Sequence, residues 1–340
     1  MTAEVDLDGA IVQRALAAAH GLVLGDALGA PASVHRTIRD PWVRQMLRRG
    51  TADLDDSQVL RPVVPFVLSA LGTESLVGTD DAELFAVAAL SMAGTGSTDE
   101  LFTEWVRLVD QPDTWLGTAQ RSALDNSRHG LVPPQTGQDN PAFYDDTALP
   151  GALAAAIAAR TPLEAAERAA QFARITHDGV GVHAAVLFAH ILNASFEGAT
   201  IESAIDAALA TLEFDEWLHG NIAQARSIMQ AAPQPFLAIP ELVQVFAPRT
   251  YSHAGTVTET LPLAIAITEA CGGNHALAMP LAFAVTRHQD SLPGLVGALC
   301  GALGAKIDAN GTDLLAGVTI PATAGSSITE LVRSLLQLRG

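Results

Sequence analysis

Fifteen consecutive residues from Ser291 to Ala305 carry no charge, and among them Gly294, Gly297 or Ala298, Gly301, and Gly304 or Ala305 recur at every third or fourth position. On a helix this spacing collects small residues on one face, so another helix can approach its backbone closely. Such a helix belongs at the centre of a protein. Immediately before it stands Arg287-His288-Gln289-Asp290-Ser291. The helix start would carry His288, Asp290 and Ser291 inward, where uncapped N–H groups and the helix dipole favour anions and oxygen-rich sites.

The remaining composition fits a helical protein. Of 340 residues, 49% are hydrophobic and only 5% aromatic, and runs alternating β-branched with polar residues are nearly absent, so an all-α fold is expected. No linker separates two compositions, which makes residues 1–340 one domain in this reading. The formal charge of −18, from 37 acidic against 19 basic residues, would repel a phosphate backbone, so no nucleic acid partner is expected. Cys271 and Cys300 sit in apolar surroundings without motif spacing, which suits a reducing compartment. The first eight residues are acidic where a signal peptide would be basic. The longest apolar runs are broken by charge or proline short of the ~20 residues a bilayer span needs. A cytoplasmic protein with no membrane partner is the expectation.

In chain order, Ile11, Val12, Ala15, Leu16, Ala19, Leu22 and Val23 keep helical spacing with Asp26 on the same face, and Gly25 to Pro31 is expected to close that helix. Asp26 either caps a neighbouring helix or shapes a site. Trp42 to Gly50 reads as a basic surface helix. Leu54-Asp55-Asp56-Ser57-Gln58 precedes an apolar run and is either an N-cap or a pair of carboxylates aimed at a cation.

Helices are expected over Thr79 to Met92 and Thr98 to Val109, and residues 126–140, with Pro133-Pro134, Gly130 and Gly137, form the best candidate for a mobile lid. Asp145-Asp146-Thr147 echoes the earlier acidic pair. Thr161-Pro162-Leu163-Glu164 reads as a capping box opening a helix to about Thr176. His177 follows in a turn from which its ring would reach a cleft. His183 and His190, seven apart, lack a third ligand for zinc. Residues 214–232 are expected to be helical and 233–248 to be a proline-punctuated connection. Tyr251 to Val257, with Gly255 and Thr256, is a polar turn before helices over Thr258–Ala270 and His275–Thr286, and Ile328 to Leu336 makes a last amphipathic helix.

Taken together and in order, these motifs resemble the ADP-ribosylglycohydrolase family. Gly25-Asp26-Ala27-Leu28-Gly29-Ala30-Pro31 matches its first-helix motif. Leu54-Asp55-Asp56-Ser57-Gln58 is similar to its Thr-Asp-Asp-Thr-Gln metal motif. Ile175-Thr176-His177 resembles its Ile-Thr-His turn, and His288-Gln289-Asp290-Ser291 its Gly-Gly-Asp-x-Asp-Thr motif; Ala148-Leu149-Pro150-Gly151 falls where a Met-Arg loop is expected. The resemblance implies an orthogonal helical bundle with a central cleft. In that cleft Mg²⁺ ions would hold ribose hydroxyls and a water while an ADP-ribosyl bond to a protein or small molecule breaks through an oxocarbenium-like state. By the same resemblance Asp55, Asp56 and His177 are the catalytic candidates. Asp26, Asp146, Thr147, His177, Gly255 and Thr256 are the substrate-binding candidates, and Asp55, Asp56, His288, Asp290 and Ser291 the metal ligands.

Three departures alter that site. Ser33 stands where the family carries Glu, Leu54 where it carries a hydroxyl residue, and His288 where it carries an acid. Each lost carboxylate removes both an oxygen ligand and a charge that offsets repulsion between two cations. One Mg²⁺ or Mn²⁺ ion is therefore expected more readily than two, with His288 shifting preference toward Mn²⁺, Fe²⁺ or Zn²⁺. The alternatives left open by the sequence are a metal-free arrangement with Asp55 or Asp56 as general base and His177 or His288 assisting, a non-catalytic member that binds ADP-ribose or a nucleotide, and a hydrolase for another substrate with residues 126–140 and Asp145-Asp146-Thr147 forming a new pocket.

Overall fold

The computed structural model describes residues 9–37, 76–94, 97–212, 215–246, 255–285, 291–309 and 311–339, with only the backbone of residues 30–37. The described residues form helices without a strand; the only sheet-like pairing among them is two isolated bridges, Asp145 with Thr256 and Leu314 with Ser327.

The centre of the fold is the crossing of the first helix, α1 (Ala10–Thr37), with the late small-residue helix Leu292–Ala302. A Cβ on Gly297 would fall 2.2 Å from the Gly21 carbonyl oxygen, one on Gly25 2.3 Å from that of Pro293, and one on Gly301 2.3 Å from the backbone of Ala17. The two backbones are in direct contact, which the periodic glycines predict. Helix α1 does not close at Gly25 to Pro31: its backbone stays helical across Pro31 to Thr37. Proline removes one hydrogen-bond donor and bends a helix without necessarily ending it.

Around this crossing, in chain order, run α2 (Asp80–Ala93), α3 (Thr98–Val109), α4 (Thr118–Arg128), the one-turn α5 (Gln135–Gln138), a 3₁₀ turn at Asp146–Ala148, and α6 (Leu149–Ala158). They continue with α7 (Pro162–Ala173), α8 (Gly179–Phe196), α9 (Ile201–Thr211), α10 (Glu216–Ala231), a 3₁₀ turn at Pro235–Ala238, and α11 (Ile239–Phe246). After them come α12 (Val257–Ala270), α13 (His275–Ala284), the glycine-faced α14 (Leu292–Ala302) and α15 (Ile328–Gln337). Every residue of α6 is buried, because α2, α7, α8 and α15 all pack on it. A helix apolar on all sides is stable only when surrounded in this way.

Four other expectations change. Helix α7 ends at Ala173, before Thr176, and its capping box is half formed: Thr161 Oγ1 accepts from Glu164 N–H, while the Glu164 carboxylate turns to Arg160 N–H. Residues 233–248 are not a plain connection, since they hold the Pro235–Ala238 turn and α11; proline at a first helical turn costs no internal hydrogen bond.

Residues 126–140 are no lid, being pinned to the body. Asn126 Nδ2 donates to the carbonyls of Thr136 and Asp139, and buried Asn140 Nδ2 to those of Ala119 and Thr176 at 2.8 Å. Gly137 packs so tightly that a Cβ there would lie 2.3 Å from the His177 carbonyl oxygen. Finally, the windows Ala10–Gly29 and Gly179–Phe196 are long and apolar enough to cross a membrane by length and composition alone, against the expectation that such runs are broken; here 61% and 78% of them are buried in the core.

Candidate functional site

A cavity of about 580 Å³ opens where the starts of α2, α4 and α14 meet the 3₁₀ turn at Asp146. Its lining includes Asp80, Trp115, Arg121, Asp125, Asp145, Asp146, Thr147, Gly255 and Ser291. Its size is that of a small-molecule site. Of the expected residues the structure brings together Asp146, Thr147, Gly255 and Ser291. The expected Asp55, Asp56, His288 and Asp290 lie outside the described residues, as do the Trp42 to Gly50 helix and Tyr251 to Ala254.

Asp145 is fixed at the cavity wall through one oxygen. Its Oδ1 accepts from Thr147 N–H at 3.1 Å, from Thr147 Oγ1, and from His177 Nε2 at 2.8 Å. The other ring nitrogen, Nδ1, lies 2.7 Å from the Thr176 hydroxyl, so both nitrogens of the ring are held. The Thr147 hydroxyl in turn accepts from Gln120 Nε2 at 2.7 Å. His177 therefore does not reach the cleft: its exposure is 0%, and it stands behind Asp145. The turn after α7 was legible, but the direction of the ring depends on α8 and the Asp145 segment packing across it.

The Gly255–Thr256 turn carries the facing strip of backbone. Asp146 N–H donates to the Gly255 carbonyl at 2.7 Å and Val257 N–H to that of Tyr144 at 3.0 Å. Gly255 has φ +83°, and a Cβ there would lie 2.9 Å from Asp146 Oδ1; a side chain would be strained and would press on the carboxylate. Gly255 lines the cavity, whereas Thr256 is buried beneath it. Ser291, the N-cap residue of α14, also lines the cavity and is only partly buried, so this helix start opens onto the cleft.

Asp26 occupies a different layer. It is buried and accepts from Thr79 N–H at 2.6 Å, Thr79 Oγ1 and Ala82 N–H at 3.1 Å. Thr79, the N-cap residue of α2, spends its own side chain on Asp26 and makes no cap bond to its helix. Asp26 thus caps α2 from α1 and sets Asp80 at the cavity; it does not line the cavity itself. Burial, and then the neighbouring Asp80 charge, push its carboxyl up to about 8 against the pull of these hydrogen bonds.

Sequence reasoning missed Glu83. Fully buried in α2, it accepts from Val318, Thr319 and Ile320 N–H and from Thr319 Oγ1. The Thr319 carbonyl then receives Trp115 N–H at 2.7 Å, which seats the Trp115 backbone at the cavity rim. No local signal marks this, because the partners lie more than 230 residues apart.

Compared with known proteins, residues 8–340 match the profile of the family described as ADP-ribosylglycohydrolase. One solved structure, "ADP-ribosylglycohydrolase-related protein complex", is similar at 20% identity and a TM-score of 0.56 over 96% of each chain, a likeness of fold. No curated protein matches.

Proposed function

The chain belongs to the ADP-ribosylglycohydrolase family, and from that premise we propose that it hydrolyses the glycosidic bond of an ADP-ribosyl or related N- or O-ribosyl group on a protein or small molecule. The observation that carries this reading is the pairing of a substrate-sized cavity with Asp145, one oxygen of which is committed to His177 and Thr147. Asp145 is then held in a single orientation beside the bound ribose. Its second oxygen takes the proton of an attacking water as the new bond to the anomeric carbon forms; the bond to the leaving nitrogen or oxygen breaks with its electron pair going to that atom, and a proton from solvent completes the departing group. The positive charge that develops on the ribose is stabilised by the carboxylates of Asp80, Asp145 and Asp146 in the same lining.

A divalent cation, Mg²⁺ or Mn²⁺, belongs to this proposal. The described lining supplies hard oxygen donors from Asp80, Asp145, Asp146, Thr147 and Ser291, the chemistry such ions take. Among the described residues no three His, Cys, Asp or Glu side chains form a group able to hold a metal. The ion would rest on Asp55, Asp56, His288 and Asp290 with Ser291, and when bound it supplies a Lewis acid and a more acidic water. The departures at Ser33, Leu54 and His288 favour one ion over two.

The test incubates the purified protein, with Mg²⁺ or Mn²⁺ and again with EDTA, with ADP-ribosylated arginine, serine and small-molecule substrates. Release of ADP-ribose that EDTA suppresses is expected. No release from any of them at high protein concentration would overturn the hydrolase, and ADP-ribose binding without turnover would favour a non-catalytic binding protein.

A further inference from the structure

We propose that Gln120 is a positioning residue of this site: its side-chain amide fixes the Thr147 hydroxyl, so that the one hydroxyl proton goes to Asp145 and the carboxylate keeps a single oxygen for the cleft. The inference rests on the reading of Asp145 as the general base. Gln120 is buried, 3% exposed, and does not line the cleft. Thr147 lines both the cleft and a small internal pocket behind it, whereas Gln120 lines only the inner one. Any influence of Gln120 on a bound substrate therefore passes through Thr147.

The argument is a count of donors. A threonine hydroxyl has one proton to give and lone pairs to accept with, while an ionised carboxylate only accepts. Thr147 Oγ1 stands within hydrogen-bonding distance of Asp145 Oδ1, so its proton belongs there. The hydroxyl oxygen must then be met by a donor, and Gln120 Nε2 supplies one at 2.7 Å. The opposite amide orientation would set Gln120 Oε1 against an oxygen whose proton is already committed, leaving two buried acceptors face to face. One amide orientation thus fixes one hydroxyl rotamer, and Asp145 Oδ1 holds the Thr147 hydroxyl, Thr147 N–H at 3.1 Å and His177 Nε2 at 2.8 Å. Without the amide the Thr147 proton can turn away, and the carboxylate loses one of the bonds that stop it rotating.

The start of α4 is arranged around this contact. Gln120 is the third residue of the helix, the position from which Gln or Glu ordinarily reaches back to the N-cap N–H. Here α4 opens on Gly117 with no side-chain cap, and the Gln120 side chain reaches instead to Thr147, 27 residues away. A Cβ on Gly117 would press on Gln120 Oε1 at 3.0 Å, so the glycine leaves room for the amide in this orientation. A residue suited to capping its own helix is spent on the site.

A double-mutant cycle on the full chain tests this with Gln120→Met, which keeps the side chain's length and removes the donor, and Thr147→Val, each alone and together. Hydrogen exchange follows the residue-147 amide, which bonds to Asp145, against the Val257 amide, which bonds to Tyr144. With Thr147 present, Gln120→Met is expected to speed exchange at residue 147 about tenfold. It is also expected to lower kcat on an ADP-ribosylated substrate about tenfold, with KM within about twofold. In the Thr147→Val background the same substitution should change either readout by less than about twofold, and the Val257 amide should stay within about twofold throughout. Thr147→Val alone, which leaves Gln120 in place, should shift the Gln120 side-chain amide resonance. The proposal is overturned if that resonance does not move, if Gln120→Met leaves residue 147 unchanged, if it speeds both amides equally, or if its effect is the same in both backgrounds. Gln120-dependent exchange at residue 147 with no ribosyl bond cleaved would support the positioning of Asp145 and remove the hydrolase reading. Cleavage with an unchanged kcat in Gln120→Met would keep the hydrolase and overturn the role of Gln120.

Discussion

His177 Nε2 lies 2.8 Å from Asp145 Oδ1 in a position with no solvent exposure, so the imidazole acts on the cleft only through the carboxylate in front of it. The two residues should therefore separate kinetically. Asp145→Asn keeps the shape and removes the base, and a loss of about 10² to 10⁴ in kcat is expected. His177→Gln leaves the base present but less well held, with a smaller loss, about ten- to a hundredfold, in kcat and little change in KM. Steady-state kinetics on an ADP-ribosylated substrate, with thermal melts as a control for folding, would check this. Equal losses in both variants would mean that the histidine touches substrate directly.

Asp26 predicts how stability depends on pH. Its carboxyl is raised from 3.8 to about 8 in the folded protein by burial and by Asp80. Between those values the folded state keeps a proton that the unfolded chain has released, so this group makes stability fall as pH rises through the window and contributes no further slope above it. Asp26→Asn cannot titrate. Urea unfolding at pH 5 and pH 8 should show wild type losing stability relative to the variant, by at most about 4 kcal/mol over the three units. A difference that stays constant with pH would refute the raised value.

Features carried by local spacing were legible in the sequence. The glycines of α14 announced a close helix crossing because only a backbone can fill the space they leave, and α2 and α3 lie within one residue of their expected bounds. What escaped was tertiary. Residues 126–140 look like a free loop because their anchors are distant carbonyls at Ala119 and Thr176. Pro235 and Pro240 suggested a linker, although each falls in the first turn of a helical element. In the site, Asp146, Thr147, Gly255 and Ser291 were anticipated and do meet. Asp145 was noticed only as part of the Asp145-Asp146-Thr147 cluster; its pairing with His177 was not, because the two are 32 residues apart and no periodicity records that contact.

The α1–α14 crossing makes opposite predictions for two glycines. In Gly297→Ala the new methyl would meet the Gly21 carbonyl at 2.2 Å. Backbone cannot swing aside as a side-chain tip can, so the helices must part, at a cost of about 3 kcal/mol or more. Gly220, exposed within α10, has nothing within 4 Å of the equivalent position. Gly220→Ala should stabilise by about 0.5 to 1 kcal/mol through helix propensity. Denaturant midpoints of the two variants should move in opposite directions; a tolerated alanine at Gly297 would contradict the close crossing.

Glu83 links the core to the cavity rim, so removing it should affect overall stability and the order of the rim together. Its carboxylate satisfies three backbone N–H groups and the Thr319 hydroxyl within the fold. Glu83→Ala strands those donors, each at about 1 to 3 kcal/mol when it stays dry. Because segment 318–320 can move to reach water, the net loss should be smaller than their sum, about 3 kcal/mol. That same movement frees Trp115, whose N–H depends on the Thr319 carbonyl. At a temperature where the variant remains folded, the Trp115 amide should therefore exchange with solvent deuterium about tenfold faster or more although Glu83 lies outside the cavity lining, while Asp145 and its partners stay in place. Hydrogen exchange alongside urea unfolding separates the two effects: a destabilised variant with an unchanged Trp115 amide would show that Trp115 does not depend on this support.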